Sequence, residues 1–119
     1  LAKTGGGRGL AKFVKGDVVV VPFPFSDLTQ AKRRPALVIS ALAGDDLILS
    51  QITSQTIKDS YSIPLDEKDF ETGSLKQPSN IRPNRIFTGD SHIVFYKVGN
   101  LKSHKLKEVI KKVVEIIQE

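Results

Sequence analysis

The sequence predicts a mainly β domain: a small, strongly bent antiparallel sheet or barrel of about five to seven short strands, closed by a C-terminal helix. Three observations carry that expectation. Short β-branched or alternating apolar runs recur along the chain, beginning with the four valines of residues 18–21. Clusters of glycine, proline and aspartate punctuate these runs. Only the stretch beyond Asn100 repeats its apolar residues at helical spacing.

Taken in order, residues 1–12 are glycine-rich and cannot pack a core, which marks them as a disordered leader or a remnant foreign to the natural chain. Residues 13–119 read as one domain, long enough to bury a core. The valine run is a strand buried on both faces, because β-branching favours strand over helix. Pro22-Phe23-Pro24-Phe25 should stop its ladder, each proline removing a donor. Residues 26–32 lack periodicity and form a loop of the kind that carries function.

A second strand, 35–40, opens on Pro35, a residue suited to the first position of a strand. It pairs as a hairpin, through Gly44-Asp45-Asp46, with a third strand at 47–52. Tyr61-Ser62-Ile63-Pro64-Leu65 alternates and suggests an edge strand, followed by a solvated acidic turn, Asp66-Glu67-Lys68-Asp69. A loop punctuated by Gly73 and Pro78 ends at residues 79–84. Residues 85–88 and 92–98 read as two more strands joined at Gly89-Asp90. In the final helix Ser103 is the cap, and Leu106, Val109, Ile110, Val113, Val114, Ile116 and Ile117 share one broad face. Lys105, Lys107, Lys111 and Lys112 occupy the rest and read as solubilising.

The 18 Lys and Arg against 13 Asp and Glu give a net charge of +5 and a pI near 9.6, which favours polyanionic partners through counterion release. Cysteine is absent, which excludes disulfides and thiolate metal centres. His92 and His104 lie too far apart for a zinc motif, so chemistry without metal or cofactor is expected. No apolar run approaches the ~20 residues that span a bilayer, and no signal-peptide pattern opens the chain. A soluble, cytoplasmic protein is the expectation.

The chemistry concentrates at Lys32-Arg33-Arg34-Pro35. Pro35 pushes Arg34 towards an extended backbone, so its guanidinium sits on a strand end rather than on a floppy turn. If the hairpin forms, Arg34 and Thr53 fall at the open end of the same sheet. A permanent cation beside a hydroxyl is a phosphate-binding arrangement. A basic turn followed by a polar strand end is the plainer reading of the same residues.

Four blocks in order, residues 15–27, 32–40, 51–55 and 79–88, resemble the PemK/MazF family of toxin endoribonucleases from toxin–antitoxin modules. The likeness spans residues 13–117. It implies an SH3-like barrel of the CcdB/PemK/MazF kind, a homodimer, and a cognate antitoxin whose acidic tail lies across the RNA-binding face. It also implies metal-independent cleavage of single-stranded mRNA at short sequence motifs, leaving a 2′,3′-cyclic phosphate.

Within that resemblance Arg34 matches the catalytic arginine, Thr53 the catalytic threonine or serine, and Arg82 a second arginine used by some members. Asn84 stands where some members place an acid–base aspartate, and asparagine cannot take a proton at neutral pH. Asp27 is then the acid available as base, and His92 a candidate proton donor. Phe25 and Arg33 offer planes on which splayed bases stack. With Asp27, Asn84 and Ser54 they make up the expected substrate-binding set. Two other readings of the same barrel are a CcdB-like poison of a protein such as DNA gyrase, and a catalytically weak RNA-binding relative. The Arg34 and Thr53 pair favours cleavage, because a protein-binding poison has no need of it.

Overall fold

The computed structural model describes residues 12–23 and 32–119. The strands are β1 (Asp17–Phe23), β2 (Lys32–Ala41), β3 (Asp46–Thr53), β4 (Ile63–Leu65), β5 (Phe70–Gly73), β6 (Ser79–Asp90) and β7 (Tyr96–Leu101), and one helix, α1 (Ser103–Ile117), follows them. They form a single antiparallel sheet in the order β4-β6-β3-β2-β1-β7-β5. The outer strands β4 and β5 do not pair with one another, so the sheet curls into a half-barrel without closing.

Alternation along the central strands feeds two apolar clusters. Val18, Leu37, Ile52 and Ile81 point to the side that Val109 and Val113 of α1 cover. Val19, Val21, Ala36, Val38, Leu47 and Leu49 point to the other. Burial on both faces explains the unbroken valine run, and the expected hairpin between β2 and β3 forms with Gly44 in a positive-φ turn. The three-residue β4 lies at the sheet edge, as its alternation suggested.

Several expectations are corrected. Pro22 does not end β1, which continues to Phe23 opposite Lys32. On its other side β7 pairs no further than Tyr96 opposite Val20, so at Pro22 a missing donor costs no rung there. Pro35 is not the first residue of β2; it lies within the strand, opposite Val20. Residues 79–84 belong to the long β6 rather than to a loop, and β6 bulges at Pro83, Asn84 and Arg85, because Ser50 pairs with Ile86 while Gln51 pairs with Arg82. The Ser50 hydroxyl donates to the Arg82 carbonyl at 2.7 Å beside that bulge.

The strand expected at 92–98 starts only at Tyr96, since the Asp90 carboxylate accepts from the His92 backbone N–H and caps a 3-10 turn at Ser91–Ile93. The acidic turn is not wholly solvated. Asp69 is buried, closes a capping box with Asp66, and lies 3.8 Å from the buried Lys105 Nζ. Lys105 is therefore a structural cation rather than a solubilising one. Lys102, not Ser103, is the N-cap of α1, and it makes no side-chain cap bond. The apolar face of α1 is narrower than expected, with Val114 and Ile117 exposed. No helix among the described residues is long and apolar enough to cross a membrane.

Candidate active site

Paired residues on antiparallel strands point to the same face, and so do residues two apart on one strand. Gln51 of β3 pairs with Ala36 of β2 on one side and with Arg82 of β6 on the other. Two residues further along β3, Thr53 pairs with Asn80. Arg34, two residues from Ala36 in the opposite chain direction, is carried to the level of Thr53. Arg34, Gln51, Thr53, Asn80 and Arg82 thus share the sheet face whose apolar part is Val19, Val21 and Ala36.

The ladder between β2 and β3 ends at Ala36 and Gln51. Pro35, the next residue along β2, has no N–H with which to extend it. The strands part there, and a groove of about 550 Å³ opens. Lys32, Arg33 and Arg34 line one wall, Gln51, Thr53, Ser54 and Gln55 the other, and Leu75, Gln77 and Ser79 approach from the segment before β6. Three cations and no carboxylate are among these lining residues, so the groove suits an anion.

Arg34 is exposed, and among the described residues its side chain makes only a long contact of 3.5 Å from Nη1 to the Arg33 carbonyl. Among the described residues no carboxylate lies within ion-pair distance of it. Its charge is uncommitted. Thr53 Oγ1 accepts the Gln55 backbone N–H at 3.1 Å, which orients the hydroxyl and leaves its proton to donate elsewhere. Asn80 Nδ2 pins the same turn through the Gln55 carbonyl at 3.1 Å.

Arg82 is differently placed. It does not line the groove, and its Nη2 donates to Asp59 Oδ2 at 3.3 Å with the side chain only 17% exposed. Desolvation works to raise the Asp59 carboxyl, but the Tyr61 and Ser62 backbone N–H groups and the Arg82 guanidinium outweigh it and hold the pKa below its ordinary value.

Of the residues singled out from the sequence, the structure brings Arg33, Arg34, Thr53 and Ser54 together in the groove. Arg33 also stacks its guanidinium on Phe95, 4.5 Å from the ring centroid. Asn84 is exposed in the β6 bulge and does not line the groove. Phe25 and Asp27 lie outside the described residues.

His92 is remote. It follows Asp90, which pairs with Asp46 at the start of β3, while Thr53 is at its end. Seven residues of strand at about 3.3 Å each put roughly 23 Å between those ends. The His92 Nδ1 lies 2.6 Å from Asp90 Oδ1, and the backbone N–H and imidazole of His92 depress the Asp90 pKa. Among the described residues, Asp45, Asp90 and His92 bring ligand atoms within 4.8 Å of one another and are of types that would suit a metal, but all three are exposed and stand at this far end.

Sequence reading missed Gln51 and Gln77. Gln51 carried a usable signal, since it stands two residues before Thr53 on an expected strand. Gln77 carried none, because only the tertiary path of the segment before β6 delivers it.

A family model described as PemK-like, MazF-like toxin of type II toxin–antitoxin systems matches residues 14–117. A search of curated proteins finds no match. Among solved structures, an endoribonuclease in complex with its cognate antitoxin from a mycobacterial species aligns with TM-score 0.70 at 12% identity, over 90% of this chain and 96% of that one. A MazF from Deinococcus radiodurans aligns with TM-score 0.71 at 18% identity, over 90% and 97%. A Mycobacterium tuberculosis MazF toxin aligns with TM-score 0.63 at 14% identity, over 84% and 96%. At these identities the likeness speaks for the fold.

Proposed function

Because this chain belongs to the PemK-like, MazF-like family of type II toxin–antitoxin toxins, we propose that it is an endoribonuclease cutting single-stranded mRNA at short sequence motifs without a metal. The observation that carries this reading is the Arg34 guanidinium and the oriented Thr53 hydroxyl on opposite walls of one groove, with no carboxylate among the described residues that line it.

RNA supplies its own nucleophile, the ribose 2′-OH. Its oxygen attacks the adjacent phosphorus, its proton passes to a base, and the 5′ oxygen of the next nucleotide leaves with a proton. The products are a 2′,3′-cyclic phosphate and a 5′-hydroxyl. Negative charge builds on the phosphorane oxygens, and Arg34 stabilises it. Arginine is a poor base, so its role is electrostatic. Thr53 donates to the same phosphate. Loss of one such preorganised donor typically costs about 2.7–4 kcal/mol, or ~10²–10³ in rate. Asp27 is the base in this scheme, and Arg82, on the neighbouring strand and paired with Asp59, supports the site face from behind. Arg33 and Ser54 hold the flanking backbone, and Phe25 a base.

The same basic groove suits the acidic tail of a cognate antitoxin, and a homodimer is the assembly we expect. The test is incubation of the purified protein with a long RNA in EDTA. Discrete fragments ending in 2′,3′-cyclic phosphate are expected. Growth arrest in cells with no cleavage of any RNA would sink the nuclease reading and support a poison that binds a protein.

A further inference from the structure

Among the described residues, two side-chain atoms in the middle of the site face are buried without a hydrogen-bond partner, Gln51 Oε1 and Arg82 Nε. They belong to one cross-strand pair. One is an acceptor and the other a donor, so each is what the other lacks. A buried polar group without a partner is costly, and two complementary ones on one cross-strand pair point to a shared purpose. Arg82 is held from behind by Asp59, whose carboxylate is itself fixed by the Tyr61 and Ser62 backbone N–H groups at 3.0 Å each.

Gln51 differs from Arg82 in one respect: it also lines the groove. Its neighbour on the β2 side is Ala36, which offers no polar atom. The carboxamide oxygen is the buried end, unbonded here although the Nε–H of its cross-strand partner is the complementary donor, and the carboxamide NH₂ is the end left for the groove.

From this arrangement we propose that Gln51 is a further phosphate-binding residue of the site. Its NH₂ donates to a non-bridging oxygen of the same phosphate that Arg34 and Thr53 hold, while Arg82 and Asp59 position it. The inference rests on the nuclease reading above and adds a third donor to it. With a cation, a hydroxyl and an amide converging, the phosphorane oxygens are held from three directions. Arg82 then acts on the reaction through Gln51 as a positioning residue.

The experiment compares Gln51→Glu and Gln51→Met with wild type in three measurements: single-turnover cleavage of a long RNA, binding of a 2′-O-methyl RNA oligonucleotide that cannot be cut, and thermal melting. Glutamate keeps an oxygen acceptor for Arg82 and loses the donor; methionine keeps the length and brings no charge. The expected result is a fall in cleavage of ~10² for both variants, with Gln51→Glu melting no lower than wild type. A role confined to bracing Arg82 would instead leave Gln51→Glu active. Parental cleavage by Gln51→Glu, or by Gln51→Met, overturns the proposal while the nuclease reading stands. If wild type binds the oligonucleotide but cuts nothing, the nuclease reading falls, and weaker binding by both variants still upholds Gln51 as a phosphate ligand. Wild type that neither binds nor cuts overturns both.

Discussion

Arg34 and Thr53 each lie two residues beyond Ala36 and Gln51, the last pair that joins β2 to β3, and so face one another where the strands have separated. Replacing Arg34 with Ala removes a charge that acts more strongly in the transition state than in the ground state. Cleavage should fall by ~10² or more. RNA binding should fall far less, because Arg33 and Lys32 still meet phosphates. Single-turnover rates beside equilibrium binding of the same RNA check this, and a parental rate in the variant would refute the assignment.

The Thr53 hydroxyl is separable from its methyl group. Thr53→Ser should keep most activity, since the hydroxyl and its bond from Gln55 survive. Thr53→Ala should lose ~10² in rate with little loss of binding, because no charge is removed. Equal rates for the two variants would show that the hydroxyl is idle.

Asp59 and Arg82 form an ion pair that depends on pH. The folded-state pKa of Asp59 is lowered, so its contribution to stability is present above the ordinary value of 3.8 and is lost as pH falls through the depressed one. Asp59→Asn should therefore melt below wild type at pH 7, and the difference should close at pH values under 3.8. Melting curves at several pH values test this. A difference that stays constant to strong acid would show that the pair does not titrate as described.

Lys105 lies 3.8 Å from Asp69 and 3.3 Å from Glu108, and it holds the start of α1 against the Glu67–Asp69 turn. Lys105→Met leaves the buried Asp69 carboxylate without its cation. We expect a loss of about 2 kcal/mol in chemical denaturation, with cleavage unchanged in the folded protein. Full stability in the variant would mean that the turn's own backbone bonds suffice for Asp69.

The charge of the groove predicts competition. An acidic antitoxin tail should displace RNA, and its affinity should fall as salt is raised, since both ligands are steered by the same cations. Fluorescence anisotropy of a labelled RNA, titrated with the tail peptide at two salt concentrations, gives the answer. Undiminished binding of RNA at saturating peptide would place the two on separate surfaces.

Most of the fold was legible in the sequence because its causes are local. Burial of a β-branched strand on both faces explains the valine run, a short turn between two apolar runs explains the β2–β3 hairpin, and the period of a helix explains α1. Arg34 beside Thr53 was likewise accessible, since one short turn connects their strands. The misread ends of β1 and β2 share a different cause. Proline removes a donor on one side of its strand only, so β1 and β2 run on through their pairing with each other, and the order of strands in the sheet decides which side that is.

Tertiary structure alone decided the partners of charged and polar groups far apart in the chain. Arg82 reads from the sequence as a free second cation, yet Asp59 holds it from the segment before β4. Lys105 reads as a surface lysine, yet α1 lays it over Asp69. Gln51 opens the 51–55 block without a role of its own in the sequence; it becomes a candidate ligand because Ala36 and Arg82 flank it and the parting of β2 and β3 opens a groove beside it. Periodicity sets which face a side chain takes, because that depends on the residue's own backbone. Which group meets it there depends on how distant segments close on one another, and no local pattern encodes that.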